Sequence, residues 1–137
     1  MQSGYSGTPL IKKLGIKENH KIKLVNAPDA YFDWLENDIH RQLCKKNEIP
    51  DFVHLFVKDN KAFETGLQKI LTQIKPDTMI WVSWYKKSSG ILTDLTEDII
   101  RNFALQHNLV DIKVCAVNED WSGLKLVVPV AKRKLFS

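Results

Sequence analysis

Apolar positions follow two different periods along the chain. Residues 51–57 (DFVHLFV) and 78–85 (TMIWVSWY) are continuous apolar runs of strand length, the pattern of strands covered on both faces. Between them Phe63, Leu67, Ile70, Leu71 and Ile74 recur at helical spacing. That stripe predicts an amphipathic helix, capped by Asp59 or Asn60 and stopped by Pro76. Upstream, Thr8 as cap, Pro9 as first residue and Gly15 as stop predict a short helix over residues 10–14. Ile22 to Asn26 then reads as a strand. Pro28 or Asp29 opens a second helix, Ala30 to Glu36, with Tyr31, Trp34 and Leu35 on one side. Residues 37–50 keep neither period, and a short strand or an irregular turn falls around Ile39 to Cys44.

Downstream of the loop Lys86 to Leu92, Thr93 or Asp94 caps a helix running to Gln106. Asp94 and Glu97 stand at capping-box spacing, and Ile99, Ile100 and Phe103 form the buried side. Two strands, Val110 to Val117 and Leu124 to Val128, are joined by Asn118 to Gly123, a hairpin signal. Strands alternating with helices, then a hairpin, predict an α/β three-layer, Rossmann-like fold. Its sheet is mostly parallel and ends in an antiparallel β-hairpin.

The chain of 137 residues is 44% hydrophobic and 26% charged, enough for one α/β domain over residues 1–137 without disulfide staples. No apolar run approaches the ~20 residues of a membrane span, and the first ten residues lack the apolar stretch of a signal peptide. The expectation is a cytoplasmic protein with no membrane partner.

The net charge of +4 is unevenly placed. Lys12, Lys13, Lys17, Lys21 and Lys23 crowd the first 25 residues against Glu18 alone, and Lys132, Arg133 and Lys134 make a basic tail at about 131–137. A patch built from both ends would attract nucleic acid or an acidic protein partner. A solvated helix face and a loose tail are the plainer reading. The aromatic and zinc-finger motifs of nucleic-acid modules are missing. Cys44 and Cys115 are single and have no histidine at ligand spacing, so no metal site is expected. Cys115 reads as a small buried hydrophobe and His54 as a hydrogen-bonded core histidine.

The order of elements over residues 51–130 resembles the second half of a class I S-adenosylmethionine-dependent methyltransferase, with Lys-Pro-Asp at 75–77 turning into Ile-Trp-Val at 80–82. The segments GYSGTPLIKKLGIK (4–17), KKSSGILTDLTEDIIR (86–101) and LVDIKVCAVNEDWSGLK (109–125) are similar to an uncharacterised family of short bacterial proteins, a domain of unknown function. The first resemblance implies a reduced methyltransferase fold. The chain departs from it where the cofactor would be held. The turn after the first strand is Asn26-Ala27-Pro28-Asp29, without the glycine that lets a backbone approach a cofactor. The stretch from Glu36 to Asp51 is too short for the full helix plus two strands that would bring an acid to the ribose. The cofactor is therefore left open.

In open α/β sheets ligands bind beyond the carboxyl ends of the strands. The residues expected there are Tyr5, Ser6 and Thr8, Asn26 and Asp29, Lys58 and Asp59, Tyr85 to Gly90, the helix start from Thr93 and Asp94 to Thr96, and the hairpin tip Asn118 to Gly123 with Trp121 and Ser122. Lys86 and Lys87 supply positive charge, and Ser88 and Ser89 supply hydroxyls. Gly90 allows close approach, and free N–H groups at residues 93–96 favour an anion. Trp84, Tyr85 and Trp121 offer ring faces. This chemistry suits a non-catalytic domain binding an anionic small molecule or nucleotide. A protein-interaction module and a divergent methyltransferase are the second and third readings. No nucleophile elbow or other catalytic constellation stands out.

Overall fold

The computed structural model describes residues 7–137. Five strands form one sheet in the order β1-β2-β3-β5-β4: β1 (Ile22–Val25), β2 (Phe52–Phe56), β3 (Met79–Tyr85), β4 (Val110–Ala116) and β5 (Trp121–Val127). The first three are parallel. β5 runs antiparallel to both β3 and β4, so the hairpin closes the sheet as the pattern predicts. The helices are α1 (Leu10–Leu14), α2 (Tyr31–Leu35), α3 (Asn60–Leu71) and α4 (Glu97–Gln106).

Alternation along β2 sorts the core into two layers. Val53, Leu55 and Val57 join Phe63, Leu67 and Ile70 of α3 and Ile100 and Ala104 of α4 on one face. Phe52 and Phe56 join Leu14, Tyr31, Leu35, Trp81 and Trp121 on the other, under α1 and α2. β2 and β3 feed both layers, which is why their sequences are continuous apolar runs.

Element boundaries shift where caps decide them. Asp59 caps α3 as expected, accepting from the Ala62 N–H at 2.8 Å. In α4 the cap is Thr96, not Thr93 or Asp94: its hydroxyl accepts from the Ile99 N–H, and the helix starts at Glu97. Thr93 and Asp94 instead lock the preceding loop to the sheet edge. The Thr93 hydroxyl donates to the Lys58 carbonyl at 2.8 Å, and Asp94 accepts from the Asn60 N–H. With the register moved, Ile99 sits on the exposed side while Ile100 and Ala104 are buried. Pro9, not Thr8, immediately precedes α1, and Gly15 ends it in the left-handed region. β5 begins at Trp121, so the hairpin turn is shorter than residues 118–123. Residues 37–50 form a 3₁₀ turn over His40–Gln42 and a single parallel bridge from Leu43 to Ile22.

The two terminal segments pack on different faces of the sheet: Leu10, Ile11 and Leu14 of α1 join the α2 layer, whereas Phe136, at the end of a 3₁₀ stretch over Val130–Phe136, packs against the α3–α4 layer. Cys115 is half-buried rather than buried, because β4 is an edge strand.

Candidate functional site

The carboxyl ends of β1, β2 and β3, the β4–β5 turn and the start of α3 enclose a cleft of about 700 Å³. Asn26 leaves β1 at φ 59°, a left-handed conformation that asparagine tolerates and that here stands in for a glycine turn. Phe56 and Val57 form the floor. Tyr85 and Trp121 are directly opposite across the β3–β5 pairing, and their rings stack with centroids 4.2 Å apart. Phe56 meets Trp121 edge to face at 5.0 Å. Lys58, Asp59 and Asp120 supply the charged rim. The Lys86 N–H donates to the Asp120 carbonyl, holding the hairpin turn against the end of β3.

Of the residues expected at this edge, the structure brings Asn26, Lys58, Asp59, Tyr85, Asp120 and Trp121 into the cleft. Thr93 and Lys87 line a smaller adjoining cavity of about 320 Å³ with Trp84 and Leu92. Asp94 lines a third hollow, about 660 Å³, together with Asn26 and Asp59. Lys86, Lys87, Ser88 and Ser89 form a tight turn, 3₁₀ over Lys87–Ser89, which Gly90 closes at φ 76°. Gly90 therefore serves the turn. The Ser89 hydroxyl is engaged within it, donating to the Lys86 carbonyl and accepting from the Ile91 N–H. Asp29 and Thr8 are exposed and lie outside the main cleft. Ser122 stands opposite Trp84 on the α3–α4 side, away from Trp121. Tyr5 and Ser6 fall outside the described residues. Phe56, Pro28 and Ile91 were not expected in the site. For Phe56 a signal exists, since alternation from Phe52 places it at the carboxyl end on the Trp121 face.

The anion expectation changes with the helix starts. At α3, Asp94 takes the Asn60 N–H and Asp59 takes the Ala62 N–H, so carboxylates of the chain itself occupy the positive end of the dipole. At α4 the first turn carries Glu97 and Asp98, both paired with Arg101, which also reaches Asp111 at 3.0 Å. These partners, Asp111 foremost, raise the guanidinium pKa further. Both helix ends are self-neutralised.

Beneath the cleft lies a buried hydrogen-bonded chain. The Tyr31 hydroxyl meets His54 Nδ1 at 2.8 Å, and His54 Nε2 meets Ser83 Oγ at 2.7 Å. All three side chains are 0% exposed. Burial pushes the His54 pKa down to about 3 and the Tyr31 pKa up. A serine sealed in this way presents no nucleophile to solvent; the chain ties α2 to β2 and β3. Among the described residues no cluster of three or more His, Cys, Asp or Glu could hold a metal. Nor is any helix there long and apolar enough to cross a membrane.

No protein-family model and no curated protein matches the sequence, so the short bacterial family of unknown function gains no support there. Among solved structures the fold is similar to a protein of the NADB-Rossmann superfamily from Streptococcus agalactiae. That match has a TM-score of 0.51 and 8% identity, covering 90% of this chain and 69% of the other. The N-methyltransferase NodS from Bradyrhizobium japonicum WM9 aligns with a TM-score of 0.46 and 12% identity, over 79% of this chain and 72% of its own. The architecture is thus a Rossmann-like α/β fold.

Proposed function

We propose that the chain is a binding domain for a small molecule with a planar ring, nucleoside or nucleotide in kind, seated in the cleft of Asn26, Phe56, Tyr85 and Trp121. The observation that carries this reading is the aromatic wall, Tyr85 stacked on Trp121 over Phe56, facing a rim of Asp59, Asp120 and Lys58. An aromatic contact adds about 0.5–1.5 kcal/mol beyond burial of its area. Carboxylates at the rim accept hydrogen bonds from hydroxyl or amino groups of a ligand. Lys58 is the cation lining the same cleft and suits a phosphate on a nucleotide. The ring, and not the phosphate, is the principal contact, because the helix N-termini already hold the chain's own carboxylates.

Titration calorimetry with adenosine, AMP, S-adenosylmethionine and inorganic phosphate tests this. Ring-bearing ligands are expected to bind at millimolar concentration or below. Tyr85→Ala is expected to weaken them about tenfold, the equivalent of about 1.4 kcal/mol. Phosphate binding as tightly as AMP, or no heat from any nucleoside, would overturn the reading. Preference for S-adenosylmethionine over adenosine and AMP would point to the methyltransferase alternative within the same cleft.

A further inference from the structure

The outer edge of β1 forms a separate surface with a chemistry of its own. β1 pairs with β2 on one side. On the other, the chain returns only for the bridge at Leu43, where the Cys44 N–H donates to the Ile22 carbonyl at 2.8 Å. Successive residues of a parallel strand direct their peptide groups to alternate sides. The Lys21 carbonyl accepts from the Asp51 and Phe52 N–H groups on the β2 side, and the Ile22 carbonyl accepts from the outer side. By that alternation Leu24 turns its N–H and carbonyl outward, where no further strand of the sheet lies.

A groove of about 590 Å³ follows this edge. Its two walls differ. Leu24, Phe32 and Leu43 belong to the α2 layer and are apolar. Lys23 pairs in register with Val53, whose side chain faces α3, and so lies on the opposite wall. Lys45 and Lys46 line the groove as well. The acid among its lining residues, Glu48, is matched to Lys21 at 2.9 Å. No ion pair of the described residues reaches Lys23, Lys45 or Lys46.

We propose that this edge accepts an extended segment of a partner protein as a sixth strand, one in which apolar and acidic residues alternate. Backbone hydrogen bonds to Leu24, the residue of β1 with its peptide groups turned to the open side, would supply the pairing, as in strand addition at other sheet edges. Alternation of side chains then sends every second residue to the apolar wall and the others to Lys23 and its neighbours. A second copy of this chain is the wrong occupant, since edge-to-edge pairing would set Lys23, Lys45 and Lys46 of two molecules against each other.

The test uses the intact protein and synthetic decapeptides of alternating valine and glutamate, of alternating valine and lysine, and of the valine–glutamate sequence N-methylated at every second residue. Binding is followed by fluorescence anisotropy and by the amide signals of residues 22–26. The acidic peptide is expected to bind, to protect the Leu24 amide from exchange, and to weaken at least tenfold in the K23E/K45E/K46E variant and on N-methylation. Lys45 and Lys46 are exposed and Lys23 half-buried, and N-methylation leaves the protein untouched, so loss of folding cannot imitate the result of that arm. Three outcomes overturn the proposal: equal binding of the acidic and basic peptides, undiminished binding after N-methylation, or no binding. Self-association of the protein through shifted signals at residues 22–26 overturns it in favour of a second copy.

Discussion

The two faces of the sheet solve the same burial problem with different materials. The α3–α4 face is mostly aliphatic: Val53, Leu55, Ile80, Val82, Leu124 and Leu126 meet Phe63, Leu67 and Ile100 under helices of 12 and 10 residues, with Trp84 and Phe103 beside them. The α1–α2 face is aromatic and partly polar, and its helices are five residues each. Short helices contribute little stability of their own. Here directed bonds compensate. Trp81 Nε1 donates to the Leu14 carbonyl at 2.9 Å and pins the end of α1, while Tyr31 pins α2 through His54 and Ser83. Gly123 lets the wide indole lie flat on the sheet, since a Cβ there would come within 3.1 Å of Trp81. One face is held by shape, the other by rings and hydrogen bonds. The latter face ends in the candidate cleft, because Phe56, Tyr85 and Trp121 continue its aromatic stack to the carboxyl edge.

That contrast is open to direct attack. Trp81→Ala should be the most damaging single change. A large core aromatic costs about 3–5 kcal/mol on truncation, and the Leu14 carbonyl loses its partner as well. Leu67→Ala on the aliphatic face should cost about 2–5 kcal/mol from cavity formation alone. Urea denaturation of both variants, with near-ultraviolet dichroism, compares them; equal losses would mean that the indole hydrogen bond adds nothing.

Acid should unfold the protein through the aromatic face. The unfolded chain protonates His54 near 6.5, the folded chain only near 3. Between these values the unfolded state binds the extra proton. Stability is therefore full above about pH 6.5 and falls as pH drops toward 3, by on the order of 5 kcal/mol for this one group. Replacing His54 with leucine should flatten that part of the curve while lowering stability at pH 7, as the Tyr31 and Ser83 hydroxyls lose their partner. An unchanged pH profile in the variant would show that other groups control acid unfolding.

Tyr31→Phe should cost about 1–3 kcal/mol, because it leaves one buried imidazole nitrogen unsatisfied. Hydrogen exchange should report the loss at α2 before α3, and simultaneous opening of both helices would contradict the division between faces. The smallest effect belongs to the aliphatic side. Thr96→Ala removes the α4 cap and should lower stability by ~1 kcal/mol in thermal unfolding, with no pH dependence near neutrality.

Much of this architecture is legible in the residues themselves. The apolar runs at 51–57 and 78–85 demand strands covered on both sides, and the stripe from Phe63 to Ile74 demands a helix laid on one of them. Asp59 announces its role because a cap precedes the helix it serves. The α4 cap was obscured by two overlapping signals. Thr93, Asp94 and Thr96 are all good caps, and choosing among them required knowing that Thr93 and Asp94 reach across to Lys58 and Asn60. The candidate site divides in the same way. Tyr85 and Trp121 could be placed at the carboxyl edge from strand order, whereas their stacking depends on the β3–β5 register.

Local periodicity determined the elements, their order and which residues must be buried, because a side chain's direction repeats at 3.6 residues in a helix and at two in a strand. Tertiary structure decided three further matters: that α1 and the C-terminal 3₁₀ stretch pack on opposite faces, that carboxylates 35 residues apart share the start of α3, and that β1 keeps an open edge. Each depends on contacts between residues far apart in the chain, and the short-range pattern of polar and apolar positions carries no record of which distant partner will arrive.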